Sequence, residues 1–245
     1  MNTLGKRFAC GLAIVALGAG LTGGTPARAQ EQEAVHHQSP WYLRLGAGYE
    51  QRGSAHEKTG SAALTFNPGF LLSTAVGYRF SHMRLEAESA YFNNSVDVAT
   101  VTHVFSEKAS GNVGVQSYML NLYYDIKMKG HGEHKLMPYV GAGVGFMQSS
   151  INSLATPTLL KGIPNPNGGY YVNPNSIISA TGQWDLAGQA GIGVNYALND
   201  KTGIYLGYRY MRGNGYFRFD TTSFGTFRPN AAAIEEIETG VMIKI

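Results

Sequence analysis

The feature that most constrains this chain is an alternation of apolar residues with polar residues or glycine that recurs in eight segments. Successive side chains of an extended chain point to opposite faces, so period-two alternation makes a strand with one apolar face. The first segment sets Trp41, Leu43, Leu45, Ala47 and Tyr49 against Arg44, Gly46, Gly48 and Glu50. In the second, Phe70, Leu72, Thr74, Val76 and Tyr78 oppose Leu71, Ser73, Ala75, Gly77 and Arg79. In the third, Met83, Leu85, Ala87 and Tyr91 oppose Arg84, Glu86 and Glu88, and in the fourth Tyr118, Leu120, Leu122, Tyr124 and Ile126 oppose Asn121, Asp125 and Lys127. Val140, Ala142, Val144 and Phe146 then alternate with Tyr139, Gly141, Gly143 and Gly145. Leu186, Ala190, Ile192, Val194 and Tyr196 face away from Asp185, Gln189 and Asn195, as Ile204, Leu206, Tyr208 and Tyr210 do from Gly203, Tyr205, Gly207 and Arg209. The last segment sets Ile237, Val241, Ile243 and Ile245 against Glu236, Glu238, Met242 and Lys244. Each run has about the 9 to 11 residues that a tilted strand needs to cross a bilayer.

The connections alternate in length: 51–68, 93–115, 149–182 and 213–230 are long, and 81–82, 128–136 and 197–201 are short. Outer-membrane barrels show this asymmetry, with short periplasmic turns and long external loops. The expected fold is all-β, an eight-stranded antiparallel up-and-down transmembrane β-barrel over 41–245 with both termini on the periplasmic side. The long loops hold Pro164-Asn165-Pro166-Asn167-Gly168-Gly169 and Asn173-Pro174-Asn175, residues that favour turns and resist helix.

One face of the ladder collects Arg44, Arg79, Arg84, Glu86, Glu88, Asp125, Lys127, Asp185, Arg209, Glu236 and Glu238. In a membrane barrel that face lines the interior, whereas a soluble, lipocalin-like barrel would turn it outward. Three features favour lipid outside. The glycines share the charged face, as a crowded interior requires. The apolar face has almost no charge, Glu235 near a strand end being the clearest exception, and Trp41, Tyr78, Tyr91, Tyr124, Tyr196 and Tyr210 lie toward segment ends, where interfacial girdles sit. Charged residues make up only 14% of the chain, against about 25% in water-soluble domains. Eight strands leave an interior just wide enough for its own side chains. The inward charges are therefore expected to pair into a network that plugs the barrel, because an unpaired buried ion costs several kcal/mol.

Residues 1–29 read as a secretory signal. Lys6 and Arg7 precede an uncharged apolar stretch from Ala9 to Leu21, shorter than the roughly 20 residues of a spanning helix. Ala27 and Ala29 supply the small residues of a cleavage site; a retained membrane anchor is the alternative. Cleavage makes Gln30 the mature N-terminus, followed by a short periplasmic leader over 30–40, and removes Cys10, so no thiol chemistry is expected. It also removes Lys6, Arg7 and Arg28 from the 19 basic residues, which leaves the mature chain balanced against its 16 acidic ones. That balance gives no sign of a nucleic-acid partner.

Asn121-Leu122-Tyr123-Tyr124-Asp125, Pro138-Tyr139-Val140-Gly141-Ala142-Gly143-Val144-Gly145, Gly207-Tyr208-Arg209-Tyr210 and the final strand carry a family resemblance. In their order and spacing the chain is similar to the small outer-membrane β-barrel family that includes opacity-type surface antigens and the transmembrane domain of outer-membrane protein A. The resemblance covers nearly all of the mature chain. It implies an eight-stranded barrel inserted by the outer-membrane assembly machinery, which recognises the last strand, and Gly240, Ile243 and Ile245 resemble that terminal signal. The departure is Ile245, where the family usually ends in phenylalanine. No peptidoglycan-binding domain is expected after the strand.

Candidate chemistry is sparse. His131-Gly132-Glu133-His134 lies in an expected short turn with no third ligand in sight, and His36-His37 is a similarly weak pair, so no metal is expected. Gly141 to Gly145 alternate as strand glycines do, with no helix after them to make a nucleotide-binding loop. Ser81 and His82, adjacent at a strand end, are expected to point to opposite sides, which suits neither nucleophile nor base. Glu86 and Glu88 are expected to pair with the inward arginines. No catalytic residue and no cofactor is expected.

Function in such scaffolds tends to sit on loops, and here these hold Tyr170, Tyr171, Ile177, Ile178, Tyr216, Phe217, Phe219, Phe224 and Phe227. The expectation is a surface protein with an adhesion or surface-binding role through 149–182 and 213–230, or a structural role in the envelope. A narrow channel for small solutes and a membrane-embedded lipid hydrolase are the alternatives. Expected partners are outer-membrane lipid and lipopolysaccharide, the assembly machinery, and a host or surface ligand at the loops.

Overall fold

The computed structural model describes residues 39–58, 60–126, 136–214, 219–221, 225–227, 230 and 233–245. Ala27 and Ala29 with the rest of the expected signal, His36 and His37, Lys127, the turn bearing His131, Glu133 and His134, and Tyr216, Phe217 and Phe224 lie outside the described residues.

Eight long strands carry the fold: β1 (Trp41–Arg52), β2 (Gly69–Phe80), β3 (Met83–Val101), β4 (Ser110–Asp125), β5 (Leu136–Ala155), β6 (Asp185–Ala197), β7 (Thr202–Gly213) and β8 (Ile234–Lys244). Each pairs antiparallel with its neighbour in sequence. The ring closes because β8 also pairs with β1, from Tyr42↔Lys244 to Arg52↔Ile234. Closure matters energetically, since a lipid-exposed sheet edge would leave backbone N–H and C=O groups without partners.

The faces sort as a membrane barrel requires. Leu45 is 52% and Val144 65% exposed, while Arg44, Glu86 and Glu238 are 4%, 0% and 1% exposed. A soluble barrel would show the reverse. Trp41, Tyr78, Tyr124 and Tyr196 ring the outside at the end bearing the short turns, with Trp41 edge-on to Tyr78 at 5.0 Å. Such rings suit the membrane–water boundary.

The extracellular half departs from the sequence reading. β3, β4 and β5 run for 19, 16 and 20 residues, so most of the expected loop 93–115 and the start of 149–182 are strand. The reason is an inversion of polarity. Above Tyr91 and Tyr118 the outward positions turn polar, as at Asn93, Ser95, Gln116 and Ser150, and the inward ones apolar, as at Phe92, Val96, Val113, Val115 and Ile151. A pattern keyed to an apolar outer face ends where the bilayer ends, although the strand goes on.

Shorter pieces build onto these extensions. Ala62–Phe66 and Phe105–Lys108 pair with β3, and Ile178–Thr181 pairs with β5. A five-residue helix, α1 (Pro157–Lys161), follows β5. The Thr156 hydroxyl caps it by accepting the Leu159 N–H at 3.2 Å, and Gly162, at φ 79°, ends it. The Pro/Asn/Gly run is a hairpin, with Ile163–Pro164 paired to Tyr170–Val172 and the turn made by Gly168 and Gly169 at positive φ.

Candidate functional site

The barrel interior is built from alternate residues of all eight strands, which the register stacks into tiers. In the central tier Arg44 reaches three carboxylates: Glu86 at 2.9 Å, Glu238 at 3.1 Å, and Glu88. Arg209 meets Glu88 at 2.6 Å and Glu238 at 2.9 Å, and also binds Glu236. Glu238 accepts hydrogen bonds from the Tyr205 hydroxyl at 2.8 Å and from Ser73. Asn121 donates to Glu88 at 3.1 Å and accepts from Gln189 at 2.6 Å.

A lower tier lies toward the short turns. Arg84 binds Asp125 and Glu86, both at 2.9 Å, and Tyr42 donates to Glu86 at 2.5 Å. The Arg84 guanidinium lies 4.8 Å from the Tyr123 ring centre and 5.0 Å from that of Tyr139, close enough for cation–π attraction. With charges this deep, pairing and the added hydrogen bonds are what make burial tolerable.

Glycine makes the room. A Cβ on Gly46 would run into Glu238, Tyr205 and Ser73, one on Gly141 into the Tyr123 ring, and one on Gly77 into the Tyr42 ring. Gly46, Gly77 and Gly141 are therefore the receptacles for large side chains of the inner face.

Above the ionic tiers the interior changes character. Leu71, Phe92, Met119, Met147, Met211 and Ile234 are each 3% exposed or less and pack as one cluster. An ion pair lies among them, Glu50 with Arg52 at 3.4 Å, both buried and Arg52 opposite Ile234, so the upper interior is apolar packing around this charge pair.

Of the residues singled out in the sequence, Arg44, Arg84, Glu86, Glu88, Asp125, Arg209, Glu236 and Glu238 converge in the tiers. Arg79 stands at the periplasmic margin, 3.7 Å from Asp125 and 30% exposed in its side chain. Asp185 faces inward at the extracellular end of β6, opposite Met147 and two inward positions beyond Gln189. Gly240 faces inward while Ile243 and Ile245 face out, and the Ile245 N–H donates to the Trp41 carbonyl at 3.1 Å. Gly141, Gly143 and Gly145 are strand residues of β5.

One expectation is corrected. Ser81 and His82 do not point apart: Ser81 Oγ lies 2.8 Å from His82 Nδ1. Ser81 sits at φ 57° in a two-residue turn, so strand alternation does not apply to it. The imidazole stacks on Tyr124 at 6.2 Å. Among the described residues no group of three or more His, Cys, Asp or Glu side chains is placed to hold a metal ion.

Sequence reasoning put Tyr139 and Tyr205 on the inward face but missed Tyr42 and Tyr123, the pairing of Asn121 with Gln189 and the apolar plug. The plug had a signal, because Leu71, Phe92, Val115 and Met119 occupy positions of inward parity.

Comparison with known proteins agrees with this geometry. The family model described as outer membrane protein beta-barrel domain matches residues 15–231. A protein of uncharacterized function from Brucella abortus (strain 2308) is 26% identical over 207 residues, covering 71% of this chain and 68% of that protein. A counterpart from Brucella suis biovar 1 (strain 1330) gives the same figures, 26% identity over 207 residues with 71% and 68% coverage. The crystal structure of Neisserial surface protein A superposes with a TM-score of 0.52 at 17% identity, covering 86% of this chain and 100% of that one. The chain belongs to the outer membrane protein beta-barrel domain family and is a protein of the bacterial outer membrane.

Proposed function

We propose that the protein is a closed surface scaffold, a barrel that seals its own lumen and holds a preformed β-structured extension above the outer leaflet to bind other surfaces. The observation that carries this reading is the length of β3, β4 and β5, at 19, 16 and 20 residues. Crossing the bilayer takes about 9 to 11, so these strands continue well beyond it. The extension has apolar side chains of its own, including Val96, Ala99, Val113, Ile151 and Leu154, and a capped helix. A surface ordered before contact loses less conformational freedom on binding than a loose loop. The reading assigns no catalysis: Ser81 reaches its base only as an adjacent residue in an exposed turn, with the ring stacked on Tyr124.

The test is attachment of cells displaying the protein to epithelial monolayers and immobilised matrix, with residues 156–177 replaced by a short turn in a second strain. Heat-modifiable gel mobility checks that both barrels fold. Several-fold weaker attachment of the shortened protein supports the reading. Equal attachment removes the binding role and leaves a structural one in the envelope.

A further inference from the structure

The periplasmic end of the barrel holds a cavity of about 430 Å³, walled by the ends of β1, β2, β5, β6, β7 and β8 and the turns that follow β2 and β6. Its lining is basic. Arg79, Lys201 and Lys244 contribute to it, and Asp200 is the one acid among the described lining residues. The frame around these cations is fixed by hydrogen bonds. The Lys244 N–H donates to the Lys201 carbonyl at 2.8 Å, and the Arg79 N–H to the Pro40 carbonyl at 2.9 Å. Asn199 Oδ1 accepts from the N–H groups of both Lys201 and Thr202, at 2.9 and 2.8 Å.

A second feature of the cavity calls for a ligand. Asn195 lines it at 4% exposure and donates to Asp125 at 3.3 Å, yet its Oδ1 has no hydrogen-bond partner. Arg79 Nε is likewise buried without a hydrogen-bond partner. Both side chains also reach Asp125, Asn195 at 3.3 Å and Arg79 at 3.7 Å, so this acceptor and this donor lie on one wall of the cavity, and buried polar atoms are nearly always satisfied. Met137, Ile204 and Met242 add apolar wall. The volume lies within the range of small-molecule sites, about 300 to 1,000 Å³.

We propose that this vestibule binds a small oxyanion of the carboxylate or phosphate class that carries an N–H or O–H donor beside its charge. The oxyanion takes hydrogen bonds from Arg79, Lys201 and Lys244, and the neighbouring donor satisfies Asn195 Oδ1. An N-acyl amino acid and a phosphate monoester with a free hydroxyl both have this chemistry, and both are small enough to enter from the periplasm.

The experiment uses the full barrel refolded in detergent micelles, with folding verified by heat-modifiable mobility. Saturation-transfer difference NMR reads titrations with N-acetylglycine, with glycerol 3-phosphate, and with acetate, which has the charge but no donor. At least one of the first two is expected to bind saturably and more tightly than acetate, and the one that does identifies the source. Replacing two charge-assisted contacts in a Lys201→Gln/Lys244→Gln variant weakens that binding by about tenfold or more. Arg212→Gln, an exposed outward position toward the other end of β7, leaves it unchanged. Absence of saturable binding by both probes, or equal binding by the lysine variant, overturns the proposal.

Discussion

Arg209 and Glu88 stand 121 positions apart in the chain and meet at 2.6 Å inside the barrel. The contact joins β7 to β3, strands that share no backbone pairing, so it braces the ring across its lumen rather than along its wall. Removing Arg209 leaves Glu88, Glu236 and Glu238 short of a cation in a site from which water is excluded. Breaking a buried ion network this way costs about 3–5 kcal/mol. Arg209→Met is therefore expected to lower the urea midpoint of the barrel in lipid vesicles by that equivalent. Glu235→Gln, on the outer face of β8, is expected to change it little.

The inner glycines give a second test. Gly46→Ala forces a methyl group into Glu238, Tyr205 and Ser73, whereas a methyl at Gly188 meets nothing nearer than the Gly143 carbonyl at 3.9 Å. Overpacking typically costs about 1–3 kcal/mol. The expected result is a clear loss of stability for Gly46→Ala and none for Gly188→Ala, read from unfolding of the two variants in the same vesicles. Equal midpoints would show that the interior has slack.

Truncating the apolar plug should act as it does in a soluble core. Phe92 is 1% exposed, and Phe92→Ala in a packed interior costs about 3–5 kcal/mol. The same unfolding assay reads it. A loss under about 1 kcal/mol would mean that the upper lumen collapses readily around the missing ring.

The extension carries its own pH dependence. The Glu107 carboxylate accepts the Thr158 N–H at 2.7 Å. Partial desolvation works to raise its pKa, but hydrogen bonds to Thr156 and Thr158 and the charge of Lys161 outweigh it and hold the group below its ordinary 4.5. A depressed folded pKa gives stability that is fully present above the unfolded value and lost as pH falls through the folded one. Amide exchange at Thr158 and Leu159, corrected for intrinsic rates, is thus expected to be slow at pH 7 and to accelerate only below pH 4.5. Glu107→Gln should exchange faster at pH 7 and lose the acid step. Thr156→Ala, which removes the helix cap, should cost about 0.5–2 kcal/mol of local stability.

Much of this architecture is legible in the sequence, for a reason rooted in the solvent. Lipid demands an apolar outer face, so Leu43, Leu45, Val76 and Leu120 alternate without interruption and betray both strand and side. Arg44, Glu88, Arg209 and Glu238 share the opposite parity and must meet, because eight strands leave them nowhere else to go. Which of them meet is not legible, since that depends on register, and the tyrosines that bracket Arg84 come from β4 and β5. The upper half escaped because the rule changes at the membrane surface. Beyond it water lies outside and the apolar residues turn inward, so Phe92 and Val96 continue a strand whose outer face has become polar. Ser81 was misplaced because a two-residue turn follows its own φ and ψ rather than the parity of its neighbours.

The central claim is that ion pairs and an apolar plug close the lumen, and single-channel recording of the wild-type protein in planar lipid bilayers at neutral pH tests it most directly. The account predicts a baseline without discrete steps, because Arg44 and Arg209 are locked to their carboxylates beneath Phe92, Met147 and Met211. Large, stable conductance steps would contradict it.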